Sequence, residues 1–440
     1  MNSLQENSFY IETYGCTSNK SDSYIISNIL KKSNYSQTSL EKAQFIIINT
    51  CAVKEQTENK IKARLQFLHQ QFKNALDKNL IIAGCLPHIA PNYIKVVEKI
   101  APSFAAIIDL NSILDFPDLL QEIKTGKKNL IIKSNKSFDK SQCSIDHLPG
   151  KITGIIPISE GCLGSCTYCC VKNARGKLNC YNPTSIVENV KSQLTQGIKQ
   201  IYLTSQDCST YQYNNINLAD IVKKITSLDF QFFLRIGMIN PSFLIRNTEQ
   251  LISIFKYRKV FQFLHIPIQS GSNKVLQRMQ REYLISDIID NIGILREEFK
   301  DLTISTDIIC GFPGETEYDF FRTINFVKWL KPEILNISKF TPRPGTPAKE
   351  MKQLDSKLIK ERSIRLSNIF RNSLIDINKN WQGWEGEVLI LHESTVKNQA
   401  FGRNFAYKNI FIDEYENKYG EFHQVKIYKV DGFNLYGKII

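Results

Sequence analysis

The sequence predicts an α/β protein in three parts: an N-terminal doubly wound parallel sheet, a central partial (β/α)6 barrel with parallel strands, and a small C-terminal all-β barrel. Over residues 8–124, and again over 151–345, short apolar runs alternate with helical stretches. That alternation is typical of parallel sheets with helical connections. Residues 381–440 instead contain short alternating strands with glycine turns, which indicates a small barrel.

Length and composition limit the classes of protein to which this sequence can belong. A chain of 440 residues is too long for one core, so several domains are expected. The net charge of +13 favours a polyanionic partner such as nucleic acid, with a merely well-solvated basic surface as the alternative. The N-terminus lacks a signal region and no apolar run is long enough for a membrane span, so we expect a cytoplasmic protein without membrane contact. Eleven cysteines in that compartment indicate metal ligands or buried thiols.

The N-terminal domain, expected over residues 8–124, places a cysteine at the end of three successive strands. Cys16, Cys51 and Cys85 each follow an apolar run. Ligand sites of open parallel sheets lie beyond the carboxyl ends of the strands, so these thiols are predicted to converge on one site. The alternative is three unrelated buried thiols.

A polar, basic segment over 125–150 is predicted to be a linker, and the central domain follows over 151–375. One of its helices is expected to begin with Asn182 as N-cap and Pro183 in the first turn, and to end at Gly197. Six candidate strands have the sequences GIIPISEG, QIYLTSQD, FFLRIGMI, FQFLHIPIQ, LTISTDIICG and ILNISKFTP.

Polar residues cluster near the ends of these six strands, where barrel enzymes place their chemistry. Packing of a core alone does not require polar residues to be concentrated at the strand ends. The residues concerned are Cys162, Gln206, Asp207, Arg235, His265, Gln269, Ser270 and Asp307.

Cys162, Cys166 and Cys169 form a CxxxCxxC motif in a loop after the first central strand. Thiolates at this spacing suit an iron–sulfur cluster, and three ligands leave one iron of a [4Fe–4S] cluster open to a substrate or cofactor. Structural zinc is the alternative, but it would need a fourth ligand from Cys170, Cys180 or a distant histidine.

This motif in a partial barrel resembles the radical S-adenosylmethionine enzymes. The rest of the chain resembles one branch of them, the methylthiotransferases, from about residue 8 to the C-terminus. The N-terminal segments that carry the resemblance are YGCTSNKSDS, NTCAVKEQTENK and AGCLP, and the central ones are LHIPIQSGSNKVLQRMQREY, DIICGFPGETEYDF and FTPRPGTPA.

The resemblance implies two [4Fe–4S] clusters and S-adenosylmethionine as cofactors. Cys162, Cys166 and Cys169 would hold the radical cluster, and Cys16, Cys51 and Cys85 an auxiliary cluster that carries the sulfur. Tyr168, beside the last cysteine, is expected near the adenine. We expect the other cofactor contacts from Gln206, Arg235, His265, Gln269 and Asp307. No catalytic residue beyond the cluster ligands is assigned, nor any role for Cys143, Cys170, Cys180, Cys208 and Cys310.

The segments EGCLGSCTYCCVKNARGKL and GMINP are most similar to the archaeal and eukaryotic branch, which implies conversion of N6-threonylcarbamoyladenosine in tRNA to its 2-methylthio derivative. The alternatives are isopentenyladenosine in tRNA, a ribosomal-protein aspartate, or a non-catalytic iron–sulfur RNA-binding protein. The expected partners are the tRNA anticodon stem-loop, an electron donor and a sulfur donor. Arg235 and Arg343 are hypothetical partners of the threonylcarbamoyl carboxylate, with a cofactor contact or a structural ion pair as alternatives.

The segment 381–440 resembles the TRAM domain, an RNA-binding module. Cations interleave with aromatic residues there, which suits phosphate contact and base stacking. Core aromatics with solvated lysines are the alternative. The cations are Arg403, Lys408, Lys426 and Lys429, and the aromatics are Phe401, Phe405, Tyr407 and Tyr428.

Overall fold

The computed structural model describes residues 5–75, 77–134, 137–147, 150–415 and 419–440. It contains two compact units. The first comprises Met1–Asp146, Pro157–Asn189 and Thr341–Lys349, and the second comprises His147–Ile156, Val190–Phe340 and Glu350–Ile440. The domain boundaries expected from the sequence remain predictions. Within the described ranges, no helix is both long and apolar enough to cross a membrane.

The N-terminal part of the first unit is a six-stranded parallel sheet in the order β2-β1-β3-β4-β5-β6. Helix α1 contacts α4, whereas α2 contacts α3, so helices cover both faces as the predicted doubly wound sheet requires. The elements are β1 (Gln5–Thr13), α1 (Thr17–Lys32), β2 (Ser36–Gln37), β3 (Ala43–Thr50), α2 (Glu55–Phe72), β4 (Asn79–Gly84), α3 (Tyr93–Ile100), β5 (Ala106–Ile108), α4 (Phe116–Lys124) and β6 (Leu130–Ile132).

Burial explains the central strands of this sheet. Every residue of β4 is buried, and in β3 Ile46, Ile47 and Ile48 are fully inaccessible. A strand covered on both faces needs such a continuous apolar run instead of an alternating one. The segment predicted as a linker over 125–150 is partly structured, since it supplies β6 and the buried Lys140, while positions 135, 136, 148 and 149 lie outside the described residues.

The six predicted central strands are confirmed as β7, β10, β13, β14, β15 and β16. They form two three-stranded sheets, β7-β10-β13 and β14-β15-β16, which a parallel bridge between Leu234 and Val260 connects. Asn182 caps α6 as predicted, because its Oδ1 accepts from Thr184 N at 2.8 Å. The elements are β7 (Thr153–Pro157), β8 (Ser159–Glu160), α5 (Val171–Arg175), β9 (Asn179–Cys180), α6 (Pro183–Thr195), β10 (Gln200–Thr204), β11 (Gln212–Tyr213), β12 (Ile216–Asn217), α7 (Leu218–Thr226), β13 (Phe233–Arg235), α8 (Pro241–Arg246), α9 (Thr248–Phe255), β14 (Phe263–His265), α10 (Asn273–Arg278), α11 (Ile285–Glu298), β15 (Thr303–Cys310), α12 (Glu317–Leu330), β16 (Ile334–Lys339) and α13 (Ser356–Lys379).

The C-terminal strands close into the predicted barrel, in the order β17-β18-β19-β21-β20. Its core combines aliphatic residues with the buried rings of Trp381 and Tyr415, and Val388, Ile390, Ile410, Ile412 and Val425 are fully inaccessible. Its strands are β17 (Glu385–Glu393), β18 (Gln399–Asn404), β19 (Asn409–Asp413), β20 (Phe422–Asp431) and β21 (Asn434–Ile439). Short 3-10 turns along the chain lie at Leu86–His88, Leu110–Asp115, Lys140–Gln142, Cys208–Thr210 and Pro347–Lys349.

Within the second unit, the C-terminal barrel packs against the central strands. The ring of Tyr407 lies 4.9 Å from that of Phe261 and 4.5 Å from that of Phe263, between centroids. Gln262 N donates to Phe405 O at 2.9 Å. Tyr407 and Lys408 are only 9% and 7% exposed, so the expectation that they contact RNA is wrong, because the packing of the barrel against the central strands buries them.

Candidate functional site

Three thiols lie at the carboxyl edge of the N-terminal sheet. Cys51 and Cys85 directly follow β3 and β4, and Cys16 is the N-cap residue of α1, just after β1. Burial raises the pKa of Cys85 to about 12, and the charges of Cys16 and Cys51 act in the same direction. The thiols predicted to converge from three strands therefore interact with one another.

Glycine is required beside these thiols. Gly15 has φ +120°, and a Cβ on it would lie 2.7 Å from Cys51 Cβ and 2.9 Å from Cys51 Sγ. Gly84, just before Cys85, has φ +97°, and its Cβ would lie 2.4 Å from Thr50 O. Both positions combine a left-handed backbone with a close approach that only glycine permits.

The CxxxCxxC motif lies in a loop that begins and ends at the short antiparallel pair β8–β9. Gly164 N donates to Cys162 Sγ at 3.2 Å, and a Cβ on Gly164 would lie 3.3 Å from Cys162 Sγ and 3.7 Å from Cys166 Sγ. Cys169 is an exposed residue whose thiol is nevertheless crowded by protein atoms. This desolvation raises the pKa of Cys169 to about 12, with the charges of Cys170, Cys166 and Cys162 adding to it.

The two cysteine-bearing regions meet inside the first unit. Cys170, next to Cys169, donates its thiol to the carbonyl of Ala52, next to Cys51, at 3.3 Å. The same carbonyl accepts from Arg343 Nη2 at 2.7 Å. The neighbours of two predicted ligands, one from each set, are therefore joined by a hydrogen bond.

Arg343 belongs to a segment that joins these loops. Its Nη2 lies 2.5 Å from Glu58 Oε2, and both side chains are almost inaccessible. In the same segment, Ala348 N donates to Thr167 O at 2.9 Å, inside the CxxxCxxC loop. Of the alternatives for Arg343, these contacts favour the structural ion pair, because Glu58 already supplies its carboxylate.

Four buried charged residues form an ionic quartet close to the strand-end thiols. Its members are Asp22, Lys140, Glu160 and Arg175. Arg175 donates to Asp22 Oδ2 and to Glu160 Oε1, both at 2.7 Å. Lys140 Nζ lies 3.0 Å from Asp22 Oδ1 and 2.7 Å from Glu160 Oε2. Two acids thus balance two cations, which is the condition for burying charge. Sequence reasoning missed this quartet.

Three of the predicted cofactor residues converge in the second unit. His265 Nε2 lies 2.7 Å from Asp307 Oδ2, at the end of β14 and in β15. Gln269 has φ +73°, an unusual left-handed conformation for a residue with a side chain. Its backbone is fixed there because Gln269 N donates to Asp307 O at 2.7 Å and Gln269 O accepts from Ile309 N at 2.9 Å.

Arg235 lies among aromatic rings. Its guanidinium carbon is 4.9 Å from the Tyr202 centroid, 4.8 Å from that of Phe263 and 5.2 Å from that of Tyr407. Its Nε is buried and makes no hydrogen bond with any residue that the structure describes. A cation stacked between ring faces is stabilised without a carboxylate.

Two further predicted residues are half-buried: Tyr168 in the cysteine-rich loop of the first unit, and Gln206 just after β10 in the second. Asp207 instead caps a turn, accepting from Ser209 N at 3.0 Å, and burial raises its pKa.

Cys208 and Cys310 are fully buried, and burial raises the pKa of each to about 12. They are therefore core thiols.

The chemistry of the two donor sets fits iron–sulfur clusters. Among the described residues, no group of three or more His, Cys, Asp or Glu side chains is arranged to hold a metal ion. Structural zinc takes four protein ligands, whereas three thiolates can hold a [4Fe–4S] cluster and leave one iron open. Three thiols in each region are the donor set that such a cluster takes.

Part of the predicted RNA surface of the C-terminal barrel is exposed. Tyr428 is 42% exposed and donates to Asp413, while Lys438 lies 5.8 Å from its ring centroid. Lys429 Nζ lies 5.2 Å from the Tyr436 centroid. Lys438 is also paired with Glu414 at 2.8 Å, and the Tyr436 ring is half-buried.

Comparison with known proteins defines the class. Residues 156–327 match the model of the Radical SAM superfamily, and residues 8–106 match that of uncharacterized protein family UPF0004. The radical S-adenosylmethionine methyltransferase TsrM from Kitasatospora setae is similar in structure, with a TM-score of 0.59 and 12% identity over 78% of this chain and 76% of that one. The chain is therefore a radical S-adenosylmethionine protein in fold.

Curated relatives narrow the class to a family. A Pyrococcus horikoshii protein named probable threonylcarbamoyladenosine tRNA methylthiotransferase is 35% identical, covering 98% of this chain and 99% of its own. The Drosophila melanogaster threonylcarbamoyladenosine tRNA methylthiotransferase is 30% identical, covering 98% of this chain and 77% of its own. The chain belongs to the threonylcarbamoyladenosine tRNA methylthiotransferase family.

Proposed function

We propose that the protein converts N6-threonylcarbamoyladenosine beside the tRNA anticodon to 2-methylthio-N6-threonylcarbamoyladenosine. One observation carries the proposal: two separate sets of three thiols lie in one compact unit, and Cys170 and Ala52, next to a thiol of each set, are in contact at 3.3 Å. A reaction that both activates a C–H bond and delivers sulfur to it needs two such centres close together.

The cofactors supply the difficult chemistry, since an unactivated C–H bond offers no acid–base or nucleophilic route. When bound, S-adenosylmethionine and the two [4Fe–4S] clusters provide hydrogen abstraction, the methyl group and the site of sulfur transfer. Cys162, Cys166 and Cys169 would hold the radical cluster, and three ligands would leave one of its irons for S-adenosylmethionine. Cys16, Cys51 and Cys85 would hold the auxiliary cluster.

The protein's own residues orient the cofactor. We assign S-adenosylmethionine contacts to Tyr168 and Gln206 and to the strand-end residues of the second unit: Arg235, His265, Gln269 and Asp307. The 2.7 Å contact with Asp307 fixes the His265 ring. The left-handed backbone at Gln269 is strained, and strain of this kind is concentrated at functional sites.

The charge of the chain supports RNA as the substrate. Its net charge is +13, and the C-terminal barrel exposes Tyr428 beside Lys438. Phosphate contacts give nucleic-acid binding its salt dependence, and aromatic rings stack on bases. The anticodon stem-loop, an electron donor and a sulfur donor are the proposed partners, and the cytoplasm is the proposed location.

The test is a product analysis. Anaerobically reconstituted protein is given S-adenosylmethionine, a strong reductant, sulfide and tRNA that carries threonylcarbamoyladenosine, and the digested nucleosides are weighed by mass spectrometry. The matched control is the same tRNA without the threonylcarbamoyl group. We expect a methylthio mass addition on the modified nucleoside and none on the control.

Other results would redirect the assignment. Addition only to isopentenyladenosine, or to an aspartate of ribosomal protein, would keep the reaction and overturn the substrate. Cofactor cleavage without any methylthio product would leave a radical enzyme of another type. Neither cleavage nor product, from protein with both clusters present, would favour a non-catalytic iron–sulfur RNA-binding protein.

A further inference from the structure

Arg175 connects the cysteine-rich loop to the strand-end thiols. It ends α5, the short helix that follows Cys169, and its side chain is 4% exposed. One guanidinium nitrogen donates to Glu160, and the other donates to Asp22 at 2.7 Å and to Asn19 Oδ1 at 3.3 Å. A planar guanidinium with several donors in a fixed geometry can bind these three acceptors at once.

Asn19 extends this contact to the auxiliary thiols. Its Oδ1, which accepts from Arg175, also accepts from Cys16 Sγ at 3.3 Å. Its Nδ2 donates at 2.8 Å to the carbonyl of Thr50, the residue before Cys51. A Cβ on Gly15 would lie within 3.2 Å of both Asn19 Cγ and Cys51 Sγ. The side-chain amide of Asn19 therefore lies between the guanidinium of Arg175 and two of the three predicted ligands, Cys16 and Cys51.

The same contacts reach the third strand-end thiol. Thr50 O, which accepts from Asn19 Nδ2 at 2.8 Å, also accepts from Cys85 N at 2.9 Å. Lys140 binds the same two carboxylates, but the thiol near its charge is Cys143. Burial raises the pKa of Cys143, and the charge of Lys140 opposes that rise. Arg175 and Lys140 thus bind the same two carboxylates but lie near different cysteines.

We propose that Arg175 is a positioning residue for the auxiliary cluster, supplying a fixed positive charge beside Cys16, Cys51 and Cys85. The inference rests on the proposed function, which places that cluster there. Reduction adds negative charge to a cluster, and nearby net charge is one of the factors that set its potential. Arg175 therefore stabilises the reduced state, and its removal makes the midpoint potential more negative.

The test compares two double variants that differ only in which cation is lost. Arg175→Met with Asp22→Asn and Lys140→Met with Asp22→Asn each remove one cation and one acid, so neither leaves an unpaired buried charge. Both are made in the Cys166→Ala background, where only the auxiliary cluster is expected to bind, and the midpoint potential is measured by redox titration with electron paramagnetic resonance.

Relative to Asp22→Asn alone, we expect the Arg175 variant to lower the equilibrium constant for reduction of the cluster about tenfold, which makes the midpoint potential about 59 mV more negative for one electron. The Lys140 variant is expected to change the midpoint potential by less than about half of that amount. Equal shifts in the two, or no shift in either, would overturn the role of Arg175 while the cluster assignment stands.

A second measurement covers the case in which the Arg175 variant does not fold. Asp22→Asn alone leaves Arg175 in place and removes the negative charge that Arg175 binds at 2.7 Å. The potential is then expected to become more positive, and an unchanged potential would contradict the proposal. Absence of any cluster from the Cys166→Ala protein would overturn both this inference and the proposed function.

Discussion

The two sets of cysteines are built in different ways. Cys16, Cys51 and Cys85 come from three neighbouring strands, and backbone hydrogen bonds between those strands fix their relative positions. The other three thiols come from one loop, whose shape depends on contacts with other segments, such as Ala348 N to Thr167 O at 2.9 Å. A site built on a sheet is rigid but intolerant of added atoms. A site built on a loop depends on the contacts that other segments make with that loop.

The largest expected effect is on the loop. Cys166→Ala removes one of the three thiols of the CxxxCxxC motif, the proposed ligands of the radical cluster, and is expected to abolish reductive cleavage of S-adenosylmethionine and methylthio product together. Cys143→Ala, a half-buried cysteine outside both sets, is the control and should leave cleavage intact. Formation of 5′-deoxyadenosine is measured by chromatography. Undiminished cleavage by the Cys166 variant would remove the loop from the radical step.

The rigidity of the sheet-built site is tested at Gly15. Gly15→Ala would place a methyl group 2.9 Å from Cys51 Sγ, so we expect about half of the bound iron to be lost with the auxiliary cluster. Gly126→Ala is a matched control, because Gly126 also has positive φ (+92°), but no atom of the described residues lies within 4 Å of the added Cβ. Each substitution carries about 1–3 kcal/mol of backbone strain. Equal iron in the two variants would show that the Gly15 contact is tolerated.

The tether between the regions is tested at Arg343. Removing one partner of a buried ion pair typically costs about 3–5 kcal/mol, so Arg343→Ala should strongly lower the midpoint of urea unfolding. Lys62→Ala removes a more exposed partner of the same Glu58, at 2.6 Å, and should cost only about 0.3–0.5 kcal/mol. Similar midpoints for the two variants would argue that the Arg343 pair does not hold the loops.

The smallest expected effect is the pH dependence of the quartet. Burial favours neutral Asp22, but Arg175 and Lys140 outweigh it and hold the pKa of Asp22 below its usual value. Ionised Asp22 therefore contributes stability above its unfolded pKa of about 3.9, and this contribution is lost as the pH falls through the folded pKa. Between about pH 5 and pH 3, wild-type protein should lose more stability in urea unfolding than Asp22→Asn. Parallel losses would contradict this.

The sequence predicted the sheet-built thiols because their placement follows from local pattern. An apolar run marks each strand, and in a parallel sheet all strands end at one edge. Cys51 follows Thr50 and Cys85 follows Gly84, as expected. The six central strands and the C-terminal barrel were predictable for the same reason, since each has its own periodicity.

The quartet could not be predicted, because its members are far apart in sequence. Asp22 and Lys140 are separated by 118 residues, and charged residues in polar stretches normally indicate solvent exposure. The same limit explains the error at Tyr407 and Lys408. Their alternation with other aromatics suggested an RNA surface, but docking against the central strands decides their burial, and no local pattern records that docking.

The central claim is a division of labour between the two sets of thiols. It is tested most directly by Cys51→Ala protein, assayed for 5′-deoxyadenosine and for methylthiolated nucleoside in the same reaction with tRNA carrying threonylcarbamoyladenosine. We expect cofactor cleavage to continue and the methylthio product to disappear. Product formed at the wild-type rate by the Cys51 variant would contradict the assignment of the strand-end thiols to sulfur transfer.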